Sequence, residues 1–209
     1  MIKDCVICTK VQTPPLKGPE SPDVPSYRLS TDYAFSNTGI DFAGPLYVKN
    51  IYSDSSTLFK CYICLFTCAT TRNVHLELTS SMSASTLINC IKRFLCRRGK
   101  ISLFISDNFT TFLSEELKNF LAVNDINQKH ILPLSPWWGG FYERLIRIVK
   151  STLRKILGTA KLNFEELTTL LIEIESVINT RPLSYLYKND TTEAITPSHL
   201  LIGRNLNGH

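Results

Sequence analysis

Three of the eighteen acidic residues in this 209-residue sequence stand where carboxylates can do chemistry. Asp41 lies inside a strand-like run, with only Gly39 and Ala43 beside it on its own face. A charge so placed needs a partner or a metal, and small neighbours leave room for one. Asp107 ends the apolar run 101–106, which reads as a buried parallel strand. Ligands of open α/β sheets usually sit at the carboxyl ends of strands. Glu143 falls in the first turn of a predicted helix, just after Trp137-Trp138-Gly139-Gly140. Singly, each has a plain reading: Asp41 as an edge charge facing water, Asp107 as a turn residue, Glu143 as a surface partner of Arg147. Together they form an oxygen-only ligand set with no Cys or His, which suits Mg²⁺ or Mn²⁺. Two such ions about 3.5–4 Å apart support in-line displacement at phosphorus, so the chemistry indicated is phosphodiester chemistry.

The helix that bears Glu143 continues with Arg147, Lys150 and Arg154 on the same side. Leu145, Ile148, Val149, Thr152 and Ile156 form the opposite side and are expected to face a core. A basic stripe is usually a solvated face, but one that starts at a proposed metal ligand favours contact with phosphates. The net charge of +5 points the same way, because six basic residues and one acid lie between Glu143 and Lys161. Trp137, Trp138 and Tyr142 flank the glycine pair and suit either base stacking or core anchoring. The glycines would let a loop there move.

The elements that must position these groups alternate. Residues 38–48, 61–69 and 73–79 read as strands, with Ile40 and Phe42 opposite Gly39, Asp41 and Ala43. A helix is expected after Ser83, carrying Leu87, Ile88, Ile91 and Leu95 and ending at Gly99. A second opens at Ser114, and residues 127–132 make a weaker strand. The long helix is expected over 141–157, and a last one after Asn163, capped with Glu166 and stopped by Arg181-Pro182. The fold class is therefore α/β, a mixed sheet flanked by helices. Residues 1–34 are set apart by five prolines between Pro14 and Pro25, which read as a linker. Residues 35–190 form the core and 191–209 a tail.

Several classes are excluded. The apolar and aromatic content rules out a disordered chain. Apolar stretches such as 62–66 fall far short of the ~18 residues of a membrane span, and no signal-peptide pattern opens the chain. Seven cysteines without a secretory signal suggest reduced thiols in an intracellular protein. Cys61 and Cys64 cannot close on one zinc from a strand, since residues three apart face opposite ways. With Cys68, Cys90 and Cys96 they read as small buried hydrophobes.

The motifs carry a resemblance. Thirty-five residues lie between Asp107 and Glu143, and 65 between Asp41 and Asp107. Around them stand Gly39-Ile-Asp-Phe-Ala-Gly-Pro45, Ser106-Asp-Asn108, Pro136-Trp-Trp-Gly-Gly-Phe-Tyr-Glu-Arg144 and Ile178-Asn-Thr-Arg-Pro-Leu183. From about residue 35 to Arg204 the chain resembles the integrase catalytic core, with the D,D(35)E pattern, of Bel/Pao-type LTR retrotransposons. The resemblance implies a ribonuclease H-like fold and Asp41, Asp107 and Glu143 as catalytic ligands of two Mg²⁺ or Mn²⁺ ions. It implies 3′-end processing and strand transfer of element DNA into target DNA, a multimeric state, and action in the nucleus. Arg147 and Lys150 match family positions that contact DNA ends, and Arg154 continues the stripe. Cys5 and Cys8 match the last two ligands of the family's His-His-Cys-Cys zinc module. All four histidines come later, so no stable zinc site is expected from that pair. The family usually has glycine or a similar small residue where Phe109 stands, and glycine there would mark a backbone that other residues resist. Two other readings follow: a decayed or host-adopted nucleic-acid-binding remnant, and a ribonuclease H-type nuclease that cleaves without joining.

Overall fold

The computed structural model describes residues 23–50, 58–131, 136–188 and 191–205. Cys5, Cys8 and most of the proline-rich stretch lie outside them, as do the side chains of Trp137 and Trp138. Strand β1 (Asn37–Lys49) is the centre of a five-stranded sheet. It pairs antiparallel with β2 (Leu58–Cys68), which pairs antiparallel with β3 (Val74–Thr79). On its other edge β1 runs parallel to β4 (Leu103–Ser106), and β4 to β5 (Asn127–His130). The order β3-β2-β1-β4-β5 makes the sheet mixed, as expected.

Helices cover both faces. Helix α1 (Ala84–Arg98) starts on Ser83, whose side chain accepts from the Thr86 N–H, and stops at Gly99 with φ +94°. Helix α2 (Glu115–Val123) starts on Ser114 in the same way. These two bury Leu87, Ile91, Phe94 and Leu117 against Ile40, Phe66 and Phe104. The other face takes α3 (Pro136–Leu157) and α4 (Phe164–Asn179), which bury Tyr142, Val149, Leu171 and Ile174 against Ala43, Ile63 and Leu65. Each fully buried aliphatic or aromatic side chain stabilises by about 1.5–3 kcal/mol, so two such layers hold the sheet between them. Cys61 joins one layer and Cys64 the other, as strand alternation requires. Among the described residues no helix is long and apolar enough to cross a membrane.

Helix α4 also closes the sheet edge. Asn179 accepts from the Val74 N–H and donates to the Val74 carbonyl, both at 2.8 Å, and Glu175 accepts from the Leu76 N–H at 2.8 Å. An exposed strand edge invites wrong pairing, and these side chains occupy it. The helix begins with the predicted capping box between Asn163 and Glu166.

Four features depart from the sequence reading. Helix α3 begins at Pro136, five residues early, so the Gly139-Gly140 pair is helical rather than a loop. Proline suits a first helical position, and each glycine costs only about 1 kcal/mol in a helix. Ile156 is exposed, because toward the end of α3 the contact passes to Leu153 and Leu157. Cys96 is exposed as well, five residues past Ile91 and so on the outward side of α1. Residues expected as a tail form β7 (Thr191–Ile195), which pairs with β6 (Ser184–Lys188), and helix α5 (Pro197–Ile202). Helix α5 is tied down where Asn73 donates to the Pro197 carbonyl at 2.6 Å and Ser198 to that of Asn179 at 2.8 Å.

Candidate active site

Asp41 sits in mid-β1 on the face covered by α3, because Gly39 two residues earlier lets Phe141 and Tyr142 close onto the strand. Its Oδ1 accepts from the Phe42 N–H at 2.7 Å. Burial pushes its carboxyl up to about 6, and the charges of Asp107 and Glu143 push it the same way. The Phe42 N–H and the Lys150 ammonium oppose that rise. Asp41 is thus a half-buried carboxylate in the field of the other two predicted ligands and of one predicted basic residue.

Asp107 directly follows β4, one strand over from Asp41. Its Oδ1 accepts from the Phe109 N–H at 3.0 Å, which turns the chain. Behind it the His130 ring contacts the Asp107 carbonyl at 3.1 Å and the Ser106 hydroxyl at 3.2 Å. Asn108 donates to the Ile131 carbonyl at 3.1 Å, tying the turn to the chain after β5. Phe109 has φ −63° and ψ 143°, an extended backbone open to any residue. Phenylalanine at this position therefore strains nothing here. Asp41 and Asp107 line one cleft of about 150 Å³ with Phe42, Met82, Phe109 and Phe112.

Glu143 is in the third turn of α3, not its first, and it does not line that cleft. Among the described residues, no three Asp, Glu, His or Cys side chains are gathered tightly enough to enclose an ion. The structure brings Asp41 and Asp107 together and leaves Glu143 near enough to act on Asp41 through its charge. A pair of carboxylates still fits Mg²⁺, which commonly takes one or two, with water and substrate phosphate completing its shell.

Tyr142 is 2% exposed and packs against Phe141 with ring centroids 5.0 Å apart, so it anchors the core rather than stacking on a ligand. Burial pushes its phenol up, and Asp41, Asp107 and Glu143 add to the effect, so it keeps its proton. Core anchoring is thus the one of its two sequence readings that holds for Tyr142, whereas the apolar wall of Met82, Phe109 and Phe112 was not predicted. Arg147, Lys150 and Arg154 are all exposed. Lys150 and Arg154 also line a groove of about 520 Å³ with Leu46, Leu157 and Leu162.

Asp41 in mid-β1, Asp107 just past the neighbouring β4, Glu143 on the covering helix and a basic stripe beside it make up the candidate site. Residues 35–136 match an integrase core domain. Glu143 lies seven residues beyond the matched stretch. The chain is 27% identical over 173 residues to an uncharacterized protein of Caenorhabditis elegans. That alignment covers 82% of this chain but only 12% of the relative, so the chain spans a small part of that protein. The fold is that of integrase catalytic cores, ribonuclease H-like. It superposes on the simian T-cell lymphotropic virus intasome, solved in complex with PP2A regulatory subunit B56 gamma, with TM-score 0.60 and 18% identity, covering 84% of this chain and 57% of that one. The HTLV-2 integrase catalytic core in complex with magnesium gives 0.57 at 16% identity, covering 81% and 97%. The BIV integrase catalytic core gives 0.57 at 17%, covering 81% and 95%.

Proposed function

We propose that the chain is the catalytic core of an integrase of a Bel/Pao-type retroelement, with residues 35–190 as the core. Its reaction is hydrolysis at the 3′ end of element DNA, followed by transfer of that end into target DNA. The observation that carries this reading is the shared cleft of Asp41 and Asp107, with Glu143 acting on Asp41 from α3.

Asp41 and Asp107 would hold a Mg²⁺ or Mn²⁺ ion, and Glu143 would complete the set for a second. When bound, such ions activate the attacking oxygen and stabilise the leaving one. The protein's own part is positional. The two strands fix the aspartates, α3 carries Glu143 toward them, and Phe109, Phe112 and Met82 line the cleft beside them. Arg147, Lys150 and Arg154 take backbone phosphates of the DNA and set its register without reading its sequence. The HTLV-2 core is known in dimeric and trimeric forms, and self-association of this chain and action in the nucleus belong to the same proposal.

The test is a Mn²⁺-supported assay of end processing and strand transfer, comparing the chain with Asp107→Asn and Glu143→Gln. Both variants should lose activity at least a hundredfold and keep DNA binding. Cleavage of RNA in a hybrid without DNA joining would favour a nuclease instead. DNA binding with no metal-dependent chemistry would favour a non-catalytic remnant.

A further inference from the structure

A second basic site lies on α3, away from the carboxylate cleft. Arg28, Arg72, Arg144 and Arg181 line one cavity of about 570 Å³, with Phe141, Gly140 and Leu145 among its walls. They come from four separate places: a 3-10 turn (Ser26–Arg28), the β2–β3 turn, helix α3 and the chain after α4. Among the described residues, none of the four forms an ion pair with a carboxylate, although seven other ion pairs exist.

What satisfies these guanidinium groups is uncharged. Arg28 and Arg72 lie over the Phe141 ring, 5.9 and 5.4 Å from its centroid. Arg181 donates to the carbonyls of Ile178 and Arg72, at 2.6 and 2.8 Å. The buried Arg28 Nε has no acceptor among the described residues. Burial pulls Arg72 down to about 10, and the charges of Arg28 and Arg181 add to that. Arg181 is also pulled down, by burial and by the charge of Arg144. Four like charges gathered round one cavity repel one another, and a low-dielectric wall of Phe141 and Leu145 sharpens that repulsion. An anion in the cavity would relieve it. Guanidinium groups present paired N–H donors in a plane, which fits phosphate oxygens better than point cations do.

We propose that this four-arginine cavity binds a phosphodiester group of a DNA strand, as an anchor separate from the carboxylate cleft. The choice of DNA rests on the integrase reading above. It is supported by continuity: Arg144 adjoins Glu143 in sequence, and Arg147 and Lys150 continue the positive charge along the same helix. The cavity lies in the size range of small-molecule sites, so it has room for a sugar beside its phosphate.

Arg144 is the residue to change, because it is exposed and holds no carbonyl in place. The experiment measures binding of a fluorescent DNA duplex to the full chain, without divalent metal, over a range of salt. Arg144→Gln should weaken binding about fivefold for any duplex sequence and lower the salt slope by about one. Arg28→Gln should do the same while leaving the melting temperature in phosphate-free buffer within about 2 °C of wild type. Inorganic phosphate separates the possible sources. Protection of wild type by phosphate with unchanged DNA binding in both variants would make this a free-anion site and overturn the proposal. Unchanged DNA binding with loss of self-association would assign the cavity to an acidic segment of a second copy, and would also overturn it. If Asp107→Asn kills strand transfer while Arg144→Gln changes nothing, the integrase reading stands and the anchor falls. If no strand transfer is found yet Arg144→Gln weakens DNA binding, the anchor stands without that chemistry.

Discussion

The backbone of Gly39 approaches the Phe141 ring so closely that a methyl group placed there would lie 2.6 Å from Cζ, and 2.7 Å from Cδ1 of Tyr142. Real Cβ contacts do not come that near, so helix α3 is seated on β1 only because residue 39 has no side chain. Glu143 follows those two aromatics, and Asp41 follows Gly39 by two residues on the same face. The contact between glycine and ring therefore sets how far the third carboxylate stands from the first. Gly39→Ala should push α3 outward, cost about 1–3 kcal/mol by overpacking, and cut strand transfer at least tenfold. Urea unfolding and a transfer assay read the two effects. Wild-type transfer in a destabilised Gly39→Ala would show that this contact does not position Glu143.

Asp41 gives a prediction with a defined sign. Its folded carboxyl is raised to about 6 by burial first, then by its acidic neighbours. The unfolded chain ionises near 3.9. In metal-free protein, its contribution to stability is present below about pH 4 and lost as pH rises toward 6 and beyond. Asp41→Asn should therefore melt a few degrees higher than wild type at pH 7.5 in chelator, and about equally at pH 4. Addition of Mg²⁺ should raise the melting temperature of wild type only. A metal-induced rise of equal size in Asp41→Asn would remove Asp41 from the ligand set.

Lys150 should matter twice. Its ammonium lowers the Asp41 carboxyl while standing exposed on the basic stripe. Lys150→Gln should weaken DNA binding a few-fold, independent of sequence, and lower the salt slope by about one. It should also shift the pH at which Mg²⁺ protects the protein upward. Arg154→Gln should share only the DNA effect. Identical pH profiles for the two variants would separate Lys150 from the carboxylates.

The buried ionic cluster under α1 predicts acid sensitivity of the opposite sense. His75 contacts Glu77 at 3.1 Å and Glu175 at 3.3 Å, with Arg93, Arg97 and Arg98 closing round them. Burial holds His75 below its usual range despite Glu175, and Arg98 and Arg97 help. Burial would raise Glu175, but its hydrogen bond to His75, that ring's charge, the Leu76 N–H and Arg98 bring it below the usual carboxylate range. For His75 the unfolded chain takes up a proton first, so stability falls as pH drops through about 6.5. For Glu175 stability is lost below about pH 4.5, as pH falls toward the folded value. The urea midpoint should decline between pH 7.5 and 5, and His75→Gln should flatten that decline. An unchanged slope in the variant would place the effect elsewhere.

The sequence showed most of what positions the site because the relevant signals were local. Ser83, Ser114 and Asn163 cap their helices as read, and the alternation about Asp41 assigns both of its faces correctly. What it could not show were covers supplied from far along the chain. Residues 73–79 read only as a strand, yet all six residues of β3 are buried, because arginines of α1 and Glu175 of α4 cover His75 and Glu77. The start of α3 was read too late because a glycine pair looked like a loop, whereas Pro136 ahead of it favours a helix start. Strand β7 and helix α5 fall in the stretch read as a tail, where the structure shows Thr196 capping α5 and Pro197 opening it. Arg28 and Arg72 had no local signal at all; the fold alone brings them to Arg144 and Arg181.

The parallel pairing of β1 with β4 sets Gly39 opposite Ile105, so Asp41 lies two residues beyond that pair in β1 and Asp107 just past the end of β4. Hydrogen-bonded strands stand about 4.8 Å apart, and this pairing carries the two chains side by side up to that point. Glu143 has no such tie: it rides on a helix held by ring packing. The candidate centre thus has a rigid half and an adjustable half. Anything that shifts α3 by a fraction of an ångström, DNA lying along it included, would tune the reaction while leaving the aspartate pair untouched.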